Sequence, residues 1–165
     1  MILRGKAHKF GDHINTDYII SSKYKYKTSS IEEMAKYMFE DIDPKFASKA
    51  QPGDLIVAGS NFGCGSSRET APRVLKAAGI ACVVANSFSR IFFRNAINIG
   101  LPLIICRTDS ISPNEILEVD LEAGTVKRDN NEILKGQSLP KVMVRIIQDG
   151  GLKNHILKHG GYVLD

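Results

Sequence analysis

Three short apolar segments, spaced so that a helix fits between each pair, most constrain the fold of this chain. The segments are residues 54–58, 80–85 and 101–106. Helical patterns over 67–78 and 88–99 separate them, and each ends at a glycine, Gly79 or Gly100, which readily adopts the left-handed conformation of a helix C-terminus. Uninterrupted apolar strands joined by helices are typical of parallel sheets that are buried on both faces. The pattern therefore predicts an α/β fold with a parallel βαβαβ core.

The flanking segments predict smaller elements. A first strand is expected over 2–10, and a helix over 31–39 with Ser29 or Ser30 as its cap. Apolar spacing also predicts a smaller antiparallel β region with strands over 118–127 and 142–147, and a closing helix over 149–158. Pro72 leaves two alternatives for the helix over 67–78, a start near Thr70 or a distorted first turn. With 165 residues we expect one domain over 1–165.

A glycine turn directly follows the strand over 54–58 and has the composition of an anion site. It contains three glycines, ends in Gly65, and continues as Ser66-Ser67-Arg68 at the start of the next helix. Free N–H groups at a helix N-terminus attract negative charge, and glycine lets a ligand approach the backbone. A guanidinium binds a carboxylate through two parallel hydrogen bonds. These four residues are the candidate binding and catalytic positions.

Two alternatives need no ligand. Ser66 and Glu69 also have the spacing of a capping box, in which each side chain bonds a backbone N–H of the helix start. Arg68 could instead form an ion pair with Glu69 or Asp17. The turn is not a nucleotide-binding loop, because the sequence contains neither a P-loop lysine nor G-x-G-x-x-G. It is not a nucleophile elbow either, since no G-x-S-x-G surrounds the serines.

Composition excludes several classes of function. The net charge is +4, with 43% hydrophobic and 24% charged residues, and the basic residues are dispersed, which disfavours a nucleic-acid-binding protein. No apolar run reaches the roughly 20 residues of a membrane span, and the start has no apolar signal-peptide segment. We therefore expect a cytoplasmic protein that binds neither nucleic acid nor membrane.

Cysteine and histidine spacing predicts no metal bound by this chain. Cys64, Cys82 and Cys106 lack C-x-x-C spacing, which argues against a disulfide framework and an iron–sulfur or zinc site. Cys82 and Cys106 lie in apolar runs and are expected in the core, whereas Cys64 belongs to the glycine turn. His155 and His159 are expected on the surface of the last helix.

Three sequence blocks together resemble one known family. They are residues 11–17 (Gly-Asp-His-Ile-Asn-Thr-Asp), 63–69 (Gly-Cys-Gly-Ser-Ser-Arg-Glu) and 85–102. In order and spacing they resemble the small subunit of 3-isopropylmalate dehydratase, the detached swivelling domain of the aconitase superfamily. The resemblance runs from about Leu3 to the C-terminus. It implies a swivelling β/β/α domain that is half of a hydro-lyase.

The resemblance also implies roles for the partner and for the site. A separate large subunit would carry a [4Fe-4S] cluster whose open iron binds a small dicarboxylic hydroxy acid, and this chain would complete the active site. Ser66 would remove the proton next to a carboxylate, Arg68 would bind a carboxylate, and Ser67 would add a hydrogen bond beside Gly65. The implied reaction isomerises 2-isopropylmalate and 3-isopropylmalate by dehydration and rehydration in leucine biosynthesis.

The resemblance places a substrate-specificity loop at Tyr24, Lys25, Tyr26, Lys27 and Thr28, which we expect to be mobile without the partner. The aromatic body of Tyr26 favours a hydrophobic substrate branch, whereas Lys25 or Lys27 would favour a further carboxylate. The alternatives are therefore a homoaconitase or a 2,3-dimethylmalate dehydratase small subunit. An alternative that is not an enzyme is a non-catalytic module that binds anions through the glycine turn.

Overall fold

A seven-stranded mixed sheet organises the protein, whose structure, a computed structural model, describes residues 1–161. Its spatial order is β4-β3-β2-β1-β5-β6-β7. The last four residues of the domain predicted over 1–165 lie outside the described part. The strands are β1 (Ile2–Lys9), β2 (Leu55–Ala58), β3 (Cys82–Ala85), β4 (Leu103–Ile105), β5 (Ile116–Asp120), β6 (Thr125–Lys127) and β7 (Ile133–Lys135).

Strand β1 is the boundary between two kinds of pairing. It runs parallel to β2, which is parallel to β3, and β3 is parallel to β4. On its other side β1 is antiparallel to β5, and the antiparallel ladder continues through β6 to β7. The predicted α/β fold with a parallel βαβαβ core and a smaller antiparallel β region is confirmed. The two regions form one continuous sheet because β1 pairs with both.

Seven helices accompany the sheet in the described residues. They are α1 (Thr16–Ile19), α2 (Ile31–Ala35), α3 (Phe46–Lys49), α4 (Thr70–Ala77), α5 (Arg90–Ile99), α6 (Lys141–Gln148) and α7 (Leu152–His159). Helix α4 begins at Thr70, so Pro72 lies in its first turn, where a missing N–H has no intrahelical partner to lose. Helix α5 begins after Ser89, whose side chain accepts a hydrogen bond from the backbone N–H of Phe92, and ends at Gly100 with φ 75°.

The core covers the parallel half of the sheet and extends onto β5 and β6. Every residue of β2 and β3 is buried, as expected for strands covered by helices on both faces. A second part of the core lies under the long connection from β1 to β2, where the rings of Phe10, Phe39 and Phe46 pack on one another. This packing supports the segment that carries α1 and the turn after it.

Two predictions for the C-terminal third were wrong. Residues 142–147 form most of helix α6 and not a strand. Valine and isoleucine favour a strand by propensity, but the buried Val144 and Ile147 are three positions apart, which is helical spacing, and α6 packs against both α5 and α7. His155 was expected on the surface, but it is completely buried.

The described residues contain no helix that is long and apolar enough to cross a membrane.

Candidate active site

The glycine turn after β2 is held against the segment that follows β1. The Gly63 N–H donates to the Ile14 carbonyl oxygen at 2.7 Å, and the Thr16 N–H donates to the Cys64 carbonyl oxygen at 2.9 Å. Because β1 and β2 are parallel neighbours, both segments leave the sheet at the same edge. The first two sequence blocks, 11–17 and 63–69, are therefore one structural unit.

The third block joins this unit through helix α5. Ser89 Oγ donates to the Gly63 carbonyl oxygen at 2.7 Å, and Asn95 Nδ2 donates to the Ser67 carbonyl oxygen at 3.1 Å. Gly63 has φ 76°, and a Cβ atom there would overlap the Phe92 ring. Only glycine satisfies both the left-handed backbone and this close approach of α5. All three blocks thus converge on the turn that precedes α4.

Ser66 lies half-buried at the centre of the site. Its Oγ accepts hydrogen bonds from Arg68 Nε at 2.8 Å and from the Arg68 backbone N–H at 3.2 Å. Its own backbone N–H donates to Thr16 Oγ1 at 3.1 Å, and Thr16 is buried. The serine is therefore oriented from both sides, and a positive charge lies beside its oxygen.

The structure does not form the capping box that the sequence allowed. The residue before α4 is Glu69, and its side chain makes no capping hydrogen bond. Ser66 lies three residues further upstream and bonds Arg68 instead. The ion-pair alternative is not formed either, because Arg68 makes no salt bridge within residues 1–161.

Arg68 is exposed and uses only its Nε toward the protein. Its two terminal nitrogens have no hydrogen-bond partner in the part of the chain that the structure describes. A guanidinium fixed through Nε still presents N–H groups that can bind one carboxylate. The pair Ser66–Arg68 can therefore combine a hydroxyl with a carboxylate-binding cation.

A shallow open cleft with an accessible volume of about 20 Å³ lies next to Arg68. Its lining combines an apolar part with both signs of charge. The apolar part consists of Ile20, Met34 and Ala71, and the charged part includes the cation of Lys25 and the carboxylate of Asp17. The remaining lining residues are Thr16, Ser21, Ser22 and Thr70. A cleft of this size holds only part of a small acid, and its lining offers that part both a nonpolar contact and a cation.

The residues of the predicted specificity loop lie in different environments. Residues Ser22–Tyr26 form a 3₁₀ turn in which Tyr24 is buried, stacked on Tyr37 with ring centroids 4.1 Å apart. The Tyr24 hydroxyl donates to Glu40, and this hydrogen bond raises the pKa of the tyrosine. Tyr24 therefore anchors the turn.

The other loop residues point in different directions. Tyr26 is 90% exposed, and Lys27 lies over the Tyr24 ring with Nζ 5.3 Å from its centroid. Lys27 and Thr28 line a different depression from the one beside Arg68. Within the segment from Tyr24 to Thr28, only Lys25 lines the cleft next to Arg68.

Two positioning residues were not singled out from sequence. Thr16 binds the Ser66 N–H, and Asn95 binds the Ser67 carbonyl oxygen across the chain. Both belong to the sequence blocks noted above, but their hydrogen bonds join residues that are 50 and 28 positions apart in the sequence. The available signal was the polar pair Asn15-Thr16 at a helix start, where Asn15 does cap the helix by accepting from the Tyr18 N–H at 2.9 Å.

The cysteines of this chain do not fit an iron–sulfur cluster. Cys82 and Cys106 are buried in or beside the strands, and burial raises the pKa of both thiols, so neither favours the thiolate that a cluster needs. Cys64 lies half-buried in the turn. Among the described residues the three thiols form no common group that could hold a metal.

Comparison with known proteins agrees with this architecture. Residues 4–107 match the family described as the aconitase C-terminal domain. The chain is 50% identical over 161 residues to the 3-isopropylmalate dehydratase small subunit 2 of Archaeoglobus fulgidus, covering 97% of this chain and 98% of the relative. It is 49% identical to the isopropylmalate/citramalate isomerase small subunit of Methanocaldococcus jannaschii, covering 95% of each chain.

A solved structure gives the same result for the fold. The crystal structure of a 3-isopropylmalate dehydratase from Methanocaldococcus jannaschii superposes with a TM-score of 0.91 at 45% identity, covering 97% of this chain and 96% of the other. Family match, full-length similarity and superposition all include the glycine turn and its supporting segments. This chain belongs to the aconitase C-terminal domain family.

Proposed function

We propose that this chain is the small subunit of a 3-isopropylmalate dehydratase, an enzyme that interconverts 2-isopropylmalate and 3-isopropylmalate through dehydration and rehydration. It acts as one swivelling domain in the cytoplasm and completes the active site of a large subunit. Near-full-length similarity to proteins with that name supports the assignment. The observation that carries it is the pairing of Ser66 with Arg68 beside a cleft that has an apolar side.

In this proposal Ser66 Oγ is the general base that removes the proton next to a substrate carboxylate. A serine hydroxyl is a weak base, so catalysis requires that the alkoxide be stabilised electrostatically. The Arg68 Nε–H at 2.8 Å from Ser66 Oγ supplies a charge-assisted hydrogen bond to that oxygen. The terminal nitrogens of Arg68 then bind the carboxylate, and Gly65 and Ser67 are the chain neighbours of Ser66 that would add hydrogen bonds to it.

The large subunit carries the [4Fe-4S] cluster in this proposal, since the thiols of this chain do not fit one. The cluster supplies Lewis-acid chemistry at the substrate hydroxyl when the two subunits are together. The residues of this chain bind and orient the substrate, hold the proton at Ser66 Oγ and exclude water from the closed site.

The cleft supports an apolar substrate branch, because its lining includes Ile20, Met34 and Ala71. Lys25 supports a second candidate substrate class. This cation lines the same cleft as Arg68, and in residues 1–161 it forms no ion pair, whereas Lys23 pairs with Glu40 at 3.1 Å. A substrate with a third carboxylate, as in a homoaconitase, would find its counter-charge at Lys25.

A reconstitution assay tests the function. The full chain is mixed anaerobically with a cluster-binding large subunit of the same family, iron and sulfide, and alkene absorbance is followed on 3-isopropylmalate, homocitrate and 2,3-dimethylmalate. We expect the highest kcat/KM on 3-isopropylmalate. Preference for another acid would move the substrate assignment, and no turnover by a formed, cluster-loaded complex would support the non-catalytic anion-binding module.

The variant Lys25→Met separates the two substrate classes. If the apolar side of the cleft decides specificity, this variant keeps kcat/KM on 3-isopropylmalate within about threefold, because only a peripheral charge is lost. If Lys25 binds a third carboxylate, KM for the tricarboxylic acid rises by about 10-fold or more, the loss of one charge-assisted hydrogen bond. Lys27→Met is the matched control, because Lys27 lies outside the cleft.

A further inference from the structure

The C-terminal helix pair contains a cluster of metal-ligating side chains that the proposed reaction does not use. Asp149 directly follows α6, and His155 and His159 lie one turn apart on α7. One ligand atom from each of the three lies within 4.8 Å of the others, and the described residues contain no other such group. Two histidines at i, i+4 on a helix are a common arrangement for zinc ligands.

The geometry of the cluster centres on one carboxylate oxygen. His155 Nδ1 lies 2.8 Å and His159 Nε2 lies 2.9 Å from Asp149 Oδ2. Both imidazole nitrogens contact the same carboxylate oxygen, so one ligand atom of each residue already lies near the other two. Zn–N and Zn–O bonds of about 2.0–2.1 Å at tetrahedral angles need ligand atoms roughly 3.3 Å apart. The two nitrogens lie closer than this to Oδ2, so each has to move away from that oxygen by roughly 0.5 Å to make room for the ion.

The other oxygen of Asp149 is occupied separately. Lys158 Nζ donates to Asp149 Oδ1 at 2.6 Å, so the lysine orients the carboxylate and leaves Oδ2 toward the histidines. Hydrogen bonds from Lys158 and His155 keep the pKa of Asp149 well below its usual range. The carboxylate is therefore ionised and already held by a partner outside the ligand set, as is common for metal ligands.

The two histidines of the cluster differ in exposure. His155 is completely buried, and its Nε2 has no hydrogen-bond partner within residues 1–161. Coordination through Nδ1 leaves the ring proton on Nε2, and this unpaired N–H is a cost that the metal bond has to outweigh. The side chain of His159 is 31% exposed, so the cluster opens to solvent on one side, where a water could complete the coordination.

We infer that Asp149, His155 and His159 bind one Zn²⁺ or a similar borderline divalent ion through Asp149 Oδ2, His155 Nδ1 and His159 Nε2. The ion joins the end of α6 to α7 and stabilises the helix pair. Binding replaces the hydrogen bonds that the imidazoles make to the carboxylate, so each coordinating nitrogen gives up its proton to the other ring nitrogen or to solvent.

The test uses the full chain, treated with a chelator that is then removed. Zn²⁺ is titrated by calorimetry, and Co²⁺ by visible absorption, which is intense for a four-coordinate ion. We expect one equivalent to bind and to raise Tm. His159→Gln keeps an N–H donor toward Asp149 but removes the ligand, and should weaken binding by at least about 100-fold. Cys64→Ser is the control against adventitious binding at a thiol, and should bind as wild type does.

An internal readout makes the test independent of variant folding. Zn²⁺ should shift the ring C–H NMR signals of His155 and His159 in the wild-type chain and leave His8 and His13 unchanged; these four are all the histidines of the sequence. No binding by wild type, shifts confined to His8 or His13, or binding lost in Cys64→Ser but kept in His159→Gln would each overturn the inference.

Discussion

Arg68, in the loop after the parallel strand β2, and Arg128, after the antiparallel strand β6, differ in how many of their guanidinium donors are bonded within the chain. Arg128 donates to Glu115 at 2.7 Å and to Glu132 at 2.6 Å, and its side chain is only 13% exposed. Arg68 is exposed, and its side chain bonds only the hydroxyl of Ser66 among the described residues. The first guanidinium has its charge satisfied within the chain and stabilises the fold, whereas the second is held in place with donors unused.

This difference indicates which region of the fold leaves polar side chains available to bind a ligand. Antiparallel strands joined by short turns bring their own charged groups face to face, as Glu115 and Arg128 show. Parallel strands leave their carboxyl ends and following loops at one edge, so the polar groups there are supported by backbone contacts and remain available. The following predictions would sharpen or break this contrast, beginning with the largest effect.

Ser66→Ala should reduce kcat of the reconstituted enzyme by about 10²–10⁴-fold, the range for loss of a general base. Subunit assembly and Tm should change little, since the side chain bonds only the exposed Arg68. Steady-state kinetics and gel filtration of the complex measure both. Activity above a few per cent of wild type would remove Ser66 from the mechanism and leave the site as a binding site only.

Gly63→Ala should destabilise the protein by about 2–4 kcal/mol, because the new methyl group meets the Phe92 ring at a positive φ. Urea unfolding measures the change. Gly11→Ala is the matched control, since nothing lies within 4 Å of a Cβ there. Equal stability of the two variants would mean that α5 does not pack closely against the turn.

Arg68→Lys should raise KM by about 10-fold or more and leave Tm unchanged, because lysine cannot reproduce a guanidinium that bonds Ser66 and a carboxylate together. Arg128→Lys should do the reverse, lowering Tm while preserving KM. Kinetics and thermal unfolding of both variants decide the comparison directly. A Tm loss in Arg68→Lys similar to that in Arg128→Lys would show that both arginines are structural.

Glu115→Gln should lower Tm by about 2–4 °C at pH 7, and the difference from wild type should shrink on acidification. The hydrogen bond from Arg128 lowers the folded pKa of Glu115 below its unfolded value, which is near the ordinary 4.5. The stabilisation is therefore fully present above the unfolded pKa and is lost as pH falls toward the folded one. Thermal unfolding between pH 7 and pH 3 measures this, and a constant difference would contradict the pairing.

Part of the molecule was predictable because the signals are local. The apolar runs of β2 and β3, the glycine ends of α4 and α5, and the Ser30 cap, which accepts from the Glu33 N–H at 3.2 Å, all depend on residues within one or two turns. The site residues Ser66 and Arg68 could be selected from the composition of one short segment. Local propensity failed at residues 142–147, where contact with α5 and α7 decides the helix.

The sequence by itself determined the order of elements, the α/β class and the segment that carries the candidate site. Only the tertiary structure decided that Thr16 supports the Ser66 backbone, that Lys25 and not Lys27 lines the cleft, and that His155 is buried beside Asp149. The physical reason is the sequence separation over which each kind of interaction acts. Periodicity and turn chemistry act between near neighbours, whereas side-chain partners are chosen by the packing of elements that are distant in sequence.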